Sequence, residues 1–342
     1  DILWLGAAAG SPACVFTVLR ISSDYGNTLT LERRYGVSLR PLAEFCEKVY
    51  GGSDKKTVHQ ALSVLGFKLE GHIILRHPGY EMNDRLMLNR INYDDWTVEL
   101  DSGTYPLNTH QFPTVDPKDP YLLTPEEEEL VEEYVSAFKE SQPLRRHLDF
   151  IYKKGSTYLC CNGNLLYHGC IPMEPDGSFT RVTMGDKTYF GKSLMDACDR
   201  LCRTAMYDRR MENTDLLWYL WCGPYSPLNG KDKIATFERT FLDDPEARTE
   251  RKNPYYDLWN SGETARTILT EFGVDFERGH IINGHVPVRK TKGDTPIKAN
   301  GKFINIDGGL SKAYQPVTGI CGYTLVYSSH ELYLAEHQPF DP

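Results

Sequence analysis

The dipeptide Asn162-Gly163 stands between two apolar, β-prone runs, Thr157-Tyr158-Leu159-Cys160-Cys161 and Asn164-Leu165-Leu166-Tyr167-His168. This pair leaves the backbone little choice. Both central positions of a type I′ turn need positive φ, which Asn and Gly tolerate, so the flanking runs fold back on each other as a hairpin. The pattern continues beyond it. His280–Ile282, Phe303–Ile306 and Tyr323–Tyr327 read as short strands, and Lys192–Tyr207 and Glu263–Phe272 as helices, the latter ended by Gly273. Strands that alternate with helices predict an α/β fold for this half of the chain.

The preceding half reads differently. Residues 1 to about 22 form an apolar, buried helix that Pro12 interrupts. Leu39, Leu42, Phe45, Cys46 and Val49 recur at helical spacing over 39–50, and residues 57–65 read the same way. His72–Tyr105 mixes short apolar stretches with polar breaks, and Tyr105–Asp119 is an irregular loop. Thr124-Pro125-Glu126-Glu127 starts a helix: Thr is the N-cap, Pro occupies the first helical position, and Glu127 closes a capping box. The division expected is 1–22, a helical and irregular segment 23–150, and an α/β segment 151–342.

Charge narrows the function. The 342 residues carry 38 Lys+Arg against 47 Asp+Glu, a net charge of −9. Such a chain offers no broad basic surface for nucleic acid. Phosphate chemistry stays open, because bound divalent cations supply positive charge locally. The nine cysteines include no C-x-x-C pair, which suits a reduced, cytoplasmic protein. No run is long and apolar enough to span a bilayer, so no membrane partner is expected.

Two histidines carry the chemical interest. His168 closes Asn164-Leu165-Leu166-Tyr167 and precedes Gly169-Cys170; His285 follows Ile281-Ile282-Asn283-Gly284. Either alone reads more simply as a satisfied structural residue. Together, at strand ends beside glycines, two neutral imidazoles could complete a Mn²⁺, Fe²⁺ or Zn²⁺ site with carboxylates from elsewhere. Asp307, in Ile306-Asp307-Gly308-Gly309, is a plain turn residue or a neighbour of the metal or the phosphate. Lys231, Lys233 and Arg239, and separately Lys298, Lys312 and Tyr314, are either solvated surface or phosphate contacts. The aromatic run Asp215–Trp221 before Gly223-Pro224 is core or the wall of a site. There is no G-x-S-x-G elbow and no standard Gly-rich phosphate loop.

Long stretches resemble the class III fructose-1,6-bisphosphatases of bacteria, within the calcineurin-like metallophosphoesterases. They include Glu81-Met82-Asn83-Asp84-Arg85-Leu86, Asn164 to Pro172, Leu217-Trp218-Tyr219-Leu220-Trp221-Cys222-Gly223-Pro224, Lys252-Asn253-Pro254-Tyr255-Tyr256 and Asn283-Gly284-His285-Val286-Pro287-Val288. The resemblance covers essentially the whole chain. It implies an α/β/β/α sandwich, here its C-terminal part with a largely helical insertion, and a two-metal site that usually holds manganese. It also implies hydrolysis of the 1-phosphate of fructose 1,6-bisphosphate in gluconeogenesis. His168 and His285 fall where that superfamily places ligands of the second metal, and Lys231, Arg239 and Lys298 are the expected phosphate contacts. The superfamily's D-x-H, GD-x-x-D and GNH motifs are absent. Asp1 matches the residue after GNH, which orients the catalytic histidine, so that histidine is expected outside the chain. A two-metal hydrolase needs a carboxylate bridging ions about 3.5–4 Å apart, and none is visible here. The chain alone is therefore expected to be inactive. Rival expectations are a metallophosphatase for another phosphoester, or a non-catalytic module.

Overall fold

The computed structural model describes residues 2–308, 315, 319 and 322–338. The chain is α/β and divides into two compact units: Asp1–Gly155 with Arg200–Pro224 and Asp232–Arg251, and Ser156–Asp199 with Tyr225–Lys231 and Lys252–Pro342.

The first unit is built on helices. Ile2–Ala9 and Pro12–Asp24 replace the single interrupted helix expected at the start, and the Ser11 hydroxyl caps the second by accepting from the Cys14 amide. Arg40–Tyr50 buries Leu42, Phe45 and Cys46, the stripe expected from spacing. The helix expected over 57–65 is much longer, Lys55–Arg76. It is buried on nearly every side, so it lacks the one-sided stripe by which helices are read. Three short strands, β1 (Ile91–Asn92), β2 (Thr97–Leu100) and β3 (Gly103–Pro106), form an antiparallel meander. The capping box at Thr124 opens the helix Pro125–Glu140. The Asp215–Trp221 run lies in the helix Met211–Cys222, and Leu217, Trp218 and Tyr219 are core residues.

The second unit carries a five-stranded sheet. Its strands are β4 (Tyr158–Cys161), β5 (Asn164–Tyr167), β8 (Ile281–Asn283), β9 (Ile297–Lys298) and β10 (Phe303–Asn305), in the order β4-β5-β8-β10-β9. Two ribbons complete the strands described: β6 (Val182–Met184) with β7 (Lys187–Tyr189), and β11 (Tyr323–Tyr327) with β12 (Leu332–Glu336). Asn162 (φ 51°) and Gly163 (φ 73°) make the expected tight turn between β4 and β5. The core beneath the sheet joins Leu165, Ile281 and Phe303 to Tyr255 and Trp259 and to Ala265, Ile268 and Leu269 of the helix Gly262–Glu271.

Candidate metal and phosphate site

Three parallel strands end side by side. β5 pairs with β8 through Leu165–Ile281 and Leu166–Ile282, and β8 with β10 through Ile281–Phe303, Ile282–Ile304 and Asn283–Asn305. Parallel strands finish at the same edge of a sheet, so His168, Gly284-His285 and Ile306-Asp307 arrive together. Open α/β sheets bind ligands beyond these carboxyl ends.

The imidazoles meet there. His168 Nε2 lies 3.1 Å from His285 Nδ1, with the rings inclined at 68°. His285 Nε2 donates to the Asn229 carbonyl at 2.8 Å. A carbonyl only accepts, so the proton sits on Nε2 and the Nδ1 lone pair faces His168. Burial and the neighbouring His168 push His285 down to about 4, with Lys231 adding to the effect and Asp307 opposing it. His168 is pressed below its ordinary value by desolvation of the ring, again against Asp307. Both rings are thus held neutral, the form in which imidazole binds a metal.

A divalent metal fits this pair of donors. Nitrogen ligands lie about 2.0–2.1 Å from a metal such as zinc, which puts two neighbouring ones roughly 3 Å apart. The Asn229 bond is the kind of outer contact that fixes a ligating histidine's tautomer and orientation. Among the described residues, no three His, Cys, Asp or Glu side chains converge, so the fit is to two donors of a site.

The layer below fixes the strand ends. Tyr167 and Tyr255 share a hydroxyl–hydroxyl hydrogen bond of 2.6 Å, and Asn283 Nδ2 donates to the Tyr255 hydroxyl at 2.6 Å. Asn305 Nδ2 donates to the Val286 carbonyl at 2.7 Å, and the Gly284 amide to the His168 carbonyl at 2.9 Å. A Cβ on Gly169 would stand 2.5 Å from the Pro227 carbonyl oxygen, so only glycine lets the loop bearing Asn229 come this close. His285 itself adopts φ 67°, a left-handed conformation uncommon outside glycine.

The other expected contacts are divided between the two units. Lys231 lies two residues beyond Asn229, and its charge is felt at His285. Lys298 pairs with Phe303 at the opposite end of β10, four residues and about 13 Å of strand from Asp307. Its ammonium lies 5.7 Å from the Trp259 ring. Arg239 belongs to the first unit and is bound to Glu250 at 2.6 Å. Asp1, Gly309, Lys312 and Tyr314 lie outside the described residues. Sequence reasoning overlooked Asn229, Asn283, Lys252 and Arg289. The last two sit within or just beyond stretches that carry the resemblance, but no local pattern marks them as neighbours of each other.

The family model described as Firmicute fructose-1,6-bisphosphatase matches residues 1–342. Similar proteins include the class 3 fructose-1,6-bisphosphatases of Clostridium tetani (47% identical over 366 residues) and Clostridium acetobutylicum (48% over 367). That of Alkaliphilus metalliredigens is 46% identical over 369. Each alignment covers 100% of this chain, but only 55%, 55% and 56% of the relative. The chain spans about half the length of the curated relatives it matches. No solved structure matches it.

Proposed function

We propose, for a chain that belongs to the Firmicute fructose-1,6-bisphosphatase family, that the protein containing it removes the 1-phosphate of fructose 1,6-bisphosphate, yielding fructose 6-phosphate for gluconeogenesis. The observation that carries this reading is the pair of ring nitrogens, His168 Nε2 and His285 Nδ1, 3.1 Å apart at the carboxyl edge of the sheet. The five-stranded sheet is read as part of a calcineurin-like sandwich. The eight cysteines among the described residues are unbridged, which suits a reducing cytoplasm.

His168 and His285 would hold one ion of a manganese pair, whose positive charge supports the phosphoryl oxygens as the ester bond breaks. The chain's own part is orientation. Asn229 holds the His285 tautomer, so that Nδ1 never has to lose a proton before it binds. The paired strand ends and the Tyr167–Tyr255–Asn283 network keep both rings on rigid elements. The Asp307 carboxylate opposes the cationic surroundings of both histidines.

The test is tightly bound manganese in the intact protein, measured by metal analysis after gel filtration, together with phosphate release from fructose 1,6-bisphosphate. His168→Ala and His285→Asn are each expected to lose bound manganese and at least about a hundredfold in activity, in line with removing a metal ligand or its close support. Full metal content in both variants would overturn the reading.

A further inference from the structure

We propose that Lys231, Lys252 and Arg289 form an anion subsite beside His285 that takes a phosphate group of the sugar bisphosphate. The sugar rests on the function proposed above; the phosphate does not.

Lys231 and Lys252 oppose each other across an isolated antiparallel bridge, reinforced by the Asn253 amide donating to the Gly230 carbonyl at 2.9 Å. Directly opposed residues carry their side chains on one face, with Cβ atoms about 4.5–5.5 Å apart, and like charges there repel. Arg289 adds a third cation. The Lys252 ammonium is held below the usual lysine range by loss of water first, then by Arg289 and Lys231, with Asp294 and Asp257 opposing. Its other neighbour is the Tyr256 ring, 5.7 Å away.

Asp232, next to Lys231 in sequence, binds Arg251 at 3.0 Å, and Glu336 binds Lys290. Asp294 Oδ2 accepts from the Arg289 backbone amide at 3.4 Å, and the charges of Asp294 and Asp257 are felt at Lys252. Among the described residues, neither Lys252 nor Arg289 forms an ion pair with a carboxylate. A like-charge cluster in a chain of net charge −9 is stabilised by an anion that bridges it. Two lysines supply movable point charges and the arginine a planar fork, a combination suited to a phosphate dianion.

Hydrogen bonds tie this cluster to His285 and Asp307. Asn229 accepts from His285 Nε2 through its carbonyl, while its Nδ2 donates to the Lys231 carbonyl at 3.0 Å. Arg289 follows Val288, whose amide donates to the Asp307 carbonyl at 2.8 Å. A phosphate seated here therefore adjoins His285.

The experiment is calorimetric titration of inorganic phosphate into the intact protein at low ionic strength, beside its Lys252→Ala, Arg289→Ala and Lys290→Ala variants. KM for fructose 1,6-bisphosphate is measured on the same samples. Lys252→Ala and Arg289→Ala are each expected to weaken phosphate binding at least about tenfold and to raise KM similarly, as loss of a charged hydrogen bond does. Lys252→Arg should recover most of the affinity. Lys290→Ala, whose lysine is occupied by Glu336, should stay within about twofold of the wild type. Phosphate that fails to bind the wild type, or that binds all variants alike, overturns the subsite. The expected binding pattern in a protein that does not turn over the bisphosphate would uphold the subsite and defeat the functional reading instead.

Discussion

His285 combines a left-handed backbone with a half-buried ring kept neutral by its surroundings. Its folded pKa of about 4 lies below the ordinary 6.5, so the unfolded chain binds the proton more readily. The neutral ring's contribution to stability is therefore full above pH 6.5 and is lost as pH falls toward 4. Chemical denaturation across that range should show the wild type losing stability more steeply than His285→Asn, which tolerates the same backbone but does not titrate. Parallel slopes would contradict the assigned burial. At Gly169, alanine would drive a Cβ into the Pro227 carbonyl, at a cost of about 1–3 kcal/mol. Thermal unfolding should register that cost, and the displaced Asn229 loop should release His285 and weaken manganese binding. The two histidines were legible in sequence because a glycine-flanked residue at the end of an apolar run projects from a sheet edge. Asn229 was not, because the bond that makes it important spans a loop 56 residues away in sequence.

Elements were legible where their signals are local. The Asn162-Gly163 turn and the Thr124 capping box depend on neighbouring residues, and both are present. The helix Lys55–Arg76 was read short because its determinants are tertiary. Gly71, which argues against helix in isolation, lies where a Cβ would meet the Tyr121 ring at 2.1 Å. Gly71→Ala should thus destabilise the protein by about 1–3 kcal/mol in denaturant unfolding, although alanine is the better helix former by about 1 kcal/mol. Lys68, on the same helix, is fully buried and donates to Glu127 at 2.7 Å and to the carbonyls of Thr114 and Leu122. Glu127 also closes the capping box, so one carboxylate joins two helices. Lys68→Met strands that carboxylate and should cost about 3–5 kcal/mol; Lys68→Met with Glu127→Leu should recover a good part of it. Equal losses in the single and double variants would show that packing, not charge, dominates there.

At the scale of the molecule, an acidic chain brings His168, His285 and Asp307 to one sheet edge. Parallel pairing of β5, β8 and β10 brings together residues more than a hundred positions apart, which no local pattern in the sequence specifies. The α/β class was legible from alternating strands and helices; the strand order that assembles His168, His285 and Asp307 was not. Arg239 and Lys298 read as phosphate contacts by charge alone, whereas position ties Lys231 to the histidines and brings in Lys252 and Arg289. The most direct test of the central claim is phosphate release from fructose 1,6-bisphosphate by the intact protein with and without added Mn²⁺, beside His285→Asn. The account predicts hydrolysis that requires the ion and collapses in the variant. Metal-independent hydrolysis, or a variant as active as the wild type, would contradict it.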